Sequence, residues 1–199
     1  MCNILAYPYR FSPLYSFRFR IKNKEGIQIC LSYEKEKNQK RDDALKLKST
    51  VEALTFQTSW GLKKLCKEDV EKYDELSKVE VGYITELGLV QDILSIKELV
   101  DGIRKEFLVE PCVELGDFCN SLVTIALGIS RIGSIKDMGL PADWKTLIRK
   151  KILKIYYPEA VRNRIFEWAT ASGYDTSTYL GKPIVKFNKL FVLLERDVC

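Results

Sequence analysis

A run of apolar side chains at helical spacing between residues 139 and 168 is the strongest constraint on how this chain folds. Pro141 suits the first turn of a helix, because the N–H group that proline lacks has no partner there. From Pro141 onward, lysine and arginine lie largely on one side, and the apolar residues that recur on the other are Trp144, Leu147, Ile148, Ile152 and Ile155. Pro158 cannot continue a helix. The pattern therefore predicts one helix from about residue 141 to 157 and a second helix from Glu159 to about Thr170.

Near the N-terminus, residues 15–22 alternate strictly between apolar side chains and polar or basic ones. This period of two is typical of a half-buried strand, with Arg18, Arg20 and Lys22 on its solvent face. Residues 23–26 are rich in turn-forming residues, and residues 27–33 repeat the alternation. The sequence therefore predicts a β-hairpin over residues 14–33.

The rest of the chain is predicted to form a helical body followed by one more strand. Residues 34–43 are charged and poor in apolar side chains, which indicates an exposed linker. Apolar residues recur at helical spacing through much of residues 44–172, which we predict to be the helical body. Residues 183–194 are β-branched and aromatic, and they are predicted to be a strand that pairs with the hairpin. The expected fold is α+β, with residues 1–199 forming a single, mostly helical domain that carries a small antiparallel sheet.

Histidine is absent from the sequence, and its absence excludes several classes of enzyme. Without imidazole there is no histidine general base, no histidine-containing triad and no zinc site that needs a histidine ligand. The six cysteines are scattered without a Cys-x-x-Cys pair, and glycine-rich phosphate-binding loops and nucleophile motifs are missing. We therefore expect a protein that is not an enzyme and that uses no cofactor and no metal.

The sequence contains no run of eighteen or more apolar residues and no signal-peptide pattern. We therefore expect an intracellular protein that does not enter a membrane. Its oligomeric state is not predicted.

The net charge of +5 is distributed unevenly along the chain. Residues 1–24 carry five basic and no acidic side chains, and residues 141–199 carry eleven basic and six acidic ones, so the middle is acidic. Basic surfaces attract polyanions. The candidate nucleic-acid-binding residues are Arg18, Arg20, Lys22, Lys145, Arg149, Lys150 and Lys154. The alternative interpretation of these residues is an ordinary solvated basic face.

A short motif overlaps the predicted helix start, since Leu140 and Pro141 are followed by Trp144 and, after thirteen intervening residues, by Pro158. This spacing resembles the minimal F-box-like pattern, Leu-Pro-x-x-Leu/Ile followed by a distant Pro, of some plant-virus silencing suppressors. Trp144 departs from the usual Leu or Ile. The resemblance implies that Leu140, Pro141, Trp144 and Pro158 bind the Skp-type adaptor of a host ubiquitin ligase.

Size, composition and this motif together resemble the RNA-silencing suppressors of criniviruses, in the closterovirus family. The resemblance implies a protein that acts against small-RNA defence in the host cytoplasm, with the nucleus left open. It implies two modes of action, which are binding of double-stranded RNA and docking on a Skp-type adaptor. A non-enzymatic viral assembly or accessory interaction protein is the alternative that the composition leaves open.

Overall fold

Our computed structural model describes residues 24–66, 69–111, 121–130, 144 and 149–197. The helices are α1 (Lys24–Leu65), α2 (Val70–Glu86), α3 (Val90–Phe107), α4 (Leu122–Ala126) and α5 (Glu159–Ala171). The strands are β1 (Ile152–Pro158), β2 (Asp175–Tyr179), β3 (Lys182–Lys186) and β4 (Phe191–Asp197). The fold is therefore α+β and mostly helical, with a small sheet.

Contacts divide the chain into two compact units, residues 1–49 and 50–199. The described part of the first unit is the beginning of α1, in which residues 35–49 are exposed. A hydrogen bond from Gln39 to Asp43, one turn later, spans 3.0 Å. That the whole chain behaves as a single domain stays a prediction.

The main core of the second unit joins the sheet to residues of α1, α2, α3 and α5. Helix α3 contributes an apolar stripe whose side chains are fully or almost fully buried, namely Ile93, Ile96, Leu99, Val100 and Ile103. Burying one such side chain is worth about 1.5–3 kcal/mol, so this stripe contributes strongly to the stability of the unit.

The four strands form one sheet in the order β1–β4–β3–β2. Strands β1 and β4 run parallel, whereas β4 with β3 and β3 with β2 run antiparallel. The turn between β2 and β3 has Leu180 and Gly181 at φ values of 50° and 74°. Two successive positive φ angles are typical of a type I′ turn, whose twist matches that of a hairpin.

Because side chains alternate along each strand, the sheet has two faces. Its first face packs on Ile165 and Ala169 of α5 and carries Leu153, Ile155, Tyr157, Val185, Val192 and Leu194. What we call the second face carries the alternate residues. At its centre Ile184 and Leu193 are buried but lie outside the main core cluster, while Lys154 and Tyr179 around them are exposed.

Helix α5 fits closely against α3 because Gly102 leaves room for the indole of Trp168. A Cβ atom added at Gly102 would lie 2.6 Å from the Cη2 atom of Trp168. Trp168 also contacts Phe107 and Tyr174, with 6.1 Å between ring centroids in both pairs. These contacts hold α5 over the first face.

The predicted N-terminal hairpin is wrong in its second half. Residues 27–33 belong to α1, and its first strand lies outside the described residues. The predicted linker, residues 34–43, is also helical, although residues 35–43 are exposed as expected. Between Gly26 and Gly61 the sequence has no glycine or proline, and Glu, Lys, Gln, Arg, Ala and Leu are strong helix formers. A continuous helix therefore prevails over the short alternation.

The predicted helix over residues 141–157 is wrong at its end, because residues 152–158 form β1, and the helical body of residues 44–172 is interrupted there. Residues 153, 155 and 157 also have a period of two, and pairing with β4 selects that period. The second predicted helix, from Glu159, is confirmed as α5.

The predicted composition of the sheet is also wrong. The segment 183–194 contains parts of two strands, β3 and β4, separated by a turn over residues 187–190. Its described partners are β1 and β2 rather than an N-terminal hairpin, and the sheet is mixed because β1 runs parallel to β4.

Candidate nucleic-acid interface

The sheet brings two basic segments of the chain together. The carbonyl of Lys151 accepts a hydrogen bond of 2.7 Å from the N–H of Phe191, and Phe191 lies opposite Ile152 on β1 and Lys186 on β3. Adjacent strands lie about 4.8 Å apart, so the backbones of Ile152 and Lys186 are roughly 10 Å apart. Residues more than thirty positions apart in sequence thus meet at one end of the sheet.

Six basic side chains lie on or beside this end of the sheet, and we call them the basic cluster: Arg149, Lys150, Lys151, Lys154, Lys186 and Lys189. Five of these residues are exposed, and the Lys186 side chain is 35% exposed. Lys154 lies on the second face and makes no ion pair within the described part of the chain. Lys186 is paired loosely, with its Nζ 3.7 Å from Oδ1 of Asp175.

A buried carboxylate fixes the turn that carries Lys189. Asp92 of α3 is 1% exposed, and its Oδ2 accepts hydrogen bonds from the backbone N–H groups of Lys189 at 2.6 Å and Leu190 at 2.9 Å. The Lys189 ammonium donates to the carbonyl of Leu87 at 2.9 Å. The turn between β3 and β4 is therefore tied to both ends of the α2–α3 junction.

Of the predicted nucleic-acid-binding residues, the structure brings Arg149, Lys150 and Lys154 into the basic cluster. Arg18, Arg20, Lys22 and Lys145 lie outside the described residues. Lys151, Lys186 and Lys189 were missed. Their sequence signal is the repeated lysine in segments 149–154 and 182–189, but only the pairing of β1 with β4 and β3 shows that the two segments are neighbours.

Of the predicted adaptor-binding residues, the structure describes Trp144 and Pro158. Trp144 is 4% exposed, and its Nε1–H donates a hydrogen bond of 2.7 Å to Oε1 of Glu80 on α2. Pro158 ends β1 and is exposed. Leu140 and Pro141 lie outside the described residues. Trp144 is thus a core residue, as a large aromatic side chain with a satisfied N–H group commonly is.

Glu80 is a buried carboxyl group that holds several segments together. Its Oε2 accepts a 3.1 Å hydrogen bond from the N–H of Val123 in the first turn of α4. Burial raises the pKa of Glu80 above its ordinary value, and hydrogen bonds from Ser121, Trp144, Val123 and Leu122 act in the opposite direction. The group therefore links α2, α4 and Trp144, and its charge is costly to keep buried.

Within the described residues, no group of three or more cysteine, aspartate and glutamate side chains could hold a metal ion. No described helix is long and apolar enough to cross a membrane. No known protein family, curated protein or solved structure matches the chain. What the arrangement offers chemically is a cluster of cations on a sheet, which suits a polyanion.

Proposed function

We propose that this protein is a non-enzymatic RNA-binding protein, and that it acts as a viral suppressor of host RNA silencing by binding double-stranded RNA. The observation that carries the proposal is the basic cluster. The role in silencing is supported by the resemblance to criniviral suppressors, which implies a place of action in the host cell.

The chemistry of the cluster fits a phosphate backbone. Lys154 on β1 and Lys186 on β3 are two strands and two residues apart, so their backbones are separated by roughly 12 Å and the two side chains can contact different phosphates of one duplex. Such contacts release condensed counterions and therefore give binding that weakens as salt rises. They do not distinguish base sequences.

The test is a gel-shift titration with double-stranded RNA at several salt concentrations. The double variant Lys154→Ala/Lys186→Ala should bind more weakly, and its plot of log affinity against log salt should be shallower by about one unit for each phosphate that the variant no longer binds. The matched control is Lys72→Ala/Lys105→Ala, which removes two exposed lysines from α2 and α3. An equal loss of affinity in both variants would show that RNA is attracted by the net charge of the protein rather than by the basic cluster. An unchanged salt slope for Lys154→Ala/Lys186→Ala would show that the cluster does not bind RNA.

Docking on a Skp-type adaptor stays the second hypothesis. If Trp144 were to contact the adaptor, it would first have to leave Glu80 and the core, and this requirement is why we favour RNA binding. An adaptor pull-down with the full chain tests docking separately. A chain that binds neither RNA nor adaptor would favour an assembly or accessory role.

A further inference from the structure

We infer that the corner of the second face around Tyr179 binds unpaired RNA nucleotides by stacking a base on that ring, about 13 Å along the strands from Lys186 of the basic cluster. The inference rests on the proposed RNA binding and adds to it the structural class of the ligand.

Aromatic and basic side chains are interleaved on this face. Tyr179 at the edge of the sheet lies opposite Lys182 on β3, and the Lys182 ammonium is 2.6 Å from the Glu195 carboxylate on β4. Glu195 in turn lies opposite Tyr156 on β1. One row thus runs across all four strands, about 14 Å from the first backbone to the last.

A second row lies beside the basic cluster. It crosses from Asp175 through Lys186 and Phe191 to Ile152. Phe191 is partly exposed, and by register it lies between Lys186 on β3 and Ile152 on β1. Between the two rows the face is buried at Ile184 and Leu193, so its accessible rings lie at its two ends, each with a lysine one strand away.

The ring of Tyr179 is open to a ligand. Tyr179 is 46% exposed although it belongs to a paired strand. The neighbouring Leu180 at the turn is 83% exposed, so this corner of the sheet presents apolar surface to solvent. An exposed aromatic ring beside cations is the usual platform for a nucleic-acid base, because every base has a face that can stack.

Stacking of a base on Tyr179 requires an RNA with unpaired nucleotides. Inside a duplex the bases are already stacked and paired, and a protein reaches mainly phosphates and 2′-hydroxyls. A side chain that stacks on a base therefore needs a nucleotide in a loop, an overhang or a single strand. Lys182 is compatible with this, because 47% of its side chain is exposed while the paired Glu195 side chain is only 12% exposed, so a phosphate can approach the ammonium from the solvent side without displacing the carboxylate.

The experiment compares Tyr179→Ala with Tyr179→Phe, in the full chain, on a short oligouridylate and on a blunt-ended RNA duplex. We expect Tyr179→Ala to lose about tenfold in affinity for the oligouridylate, or ~1.4 kcal/mol, within the range measured for one stacked base. Its affinity for the blunt duplex should stay within about twofold, and Tyr179→Phe should match wild type on both ligands because it keeps the ring. Unchanged melting temperatures of both variants serve as the folding control.

The outcomes separate this inference from the proposed function. If Tyr179→Ala binds the oligouridylate as wild type does, or loses affinity equally for both ligands, stacking at Tyr179 is refuted, whereas the salt-slope result at Lys154 and Lys186 still decides RNA binding. If the wild-type chain binds neither ligand, both proposals are refuted together.

Discussion

Replacing Gly61 with alanine should destabilise the second unit, although alanine is the better helix former. Gly61 is buried in α1, and a Cβ atom there would lie 1.9 Å from the carbonyl oxygen of Ala126 at the end of α4. Real Cβ atoms almost never approach a heavy atom closer than 3.0 Å, so the two helices would have to separate by roughly 1 Å, the kind of overpacking that costs about 1–3 kcal/mol. The separation would loosen the small cluster of Leu62, Cys66 and Leu122.

The expected size of the effect follows from two opposing terms. Alanine gains up to about 1 kcal/mol in helix propensity, which offsets part of the packing cost, so we expect a net loss of about 1–2 kcal/mol in the free energy of unfolding. For a chain of this length that corresponds to a melting temperature lower by roughly 2–8 °C.

The matched control is Gly82→Ala, in the interior of α2, where an added Cβ meets nothing within 4 Å. This variant should be more stable than wild type by about 0.5–1 kcal/mol, because it gains only helix propensity. Thermal unfolding followed by circular dichroism at 222 nm measures both variants. The close approach of α1 and α4 is refuted if Gly61→Ala melts as high as Gly82→Ala.

Two further predictions concern buried carboxylates. Asp92→Ala should lower the free energy of unfolding by about 2–4 kcal/mol, since it leaves the N–H groups of Lys189 and Leu190 without their acceptor. Denaturant unfolding measures the loss. Asp92→Asn keeps one acceptor oxygen and should therefore lose less stability. Because burial raises the pKa of Glu80, the folded state binds its proton more tightly than the unfolded state, so stability should fall as pH rises from the unfolded pKa of about 4.5 through the higher folded value. Glu80→Gln has no proton to lose and should not show that part of the pH dependence; equal slopes for the two proteins above pH 4.5 would contradict the assignment.

Local patterns were sufficient for elements that their own residues specify. Pro158 ends one element and Glu159 begins the next whatever the surroundings, because proline has no N–H group to donate and a glutamate suits the first turn. The spacing of Leu89, Ile93, Ile96, Val100 and Ile103 likewise predicts a helix with one buried face, and α3 has that face in the core. The α+β, mostly helical fold class follows from such elements.

Elements whose pattern fits two periods needed the rest of the molecule. Residues 152–157 satisfy helical spacing through Ile152 and Ile155 and strand spacing through Leu153, Ile155 and Tyr157. Hydrogen bonds with β4, about forty residues later in the sequence, select the strand conformation. Nothing within residues 152–157 specifies that partner. Residues 27–33 are the opposite case, where alternation is present but the surrounding helix formers of α1 prevail.

The sequence likewise predicts only part of the candidate site, and the tertiary structure adds the rest. Arg149, Lys150 and Lys154 are conspicuous in the sequence because they are close together, and composition alone predicts a basic surface near them. Lys186 and Lys189 join them only because β4 lies between β1 and β3, and the acceptor for the N–H of the buried Trp144 is Glu80 of α2, which lies 64 residues away in the sequence. Strand order and the pairing of distant polar groups depend on which surfaces meet in three dimensions, and a linear pattern of charge and hydropathy does not carry that information.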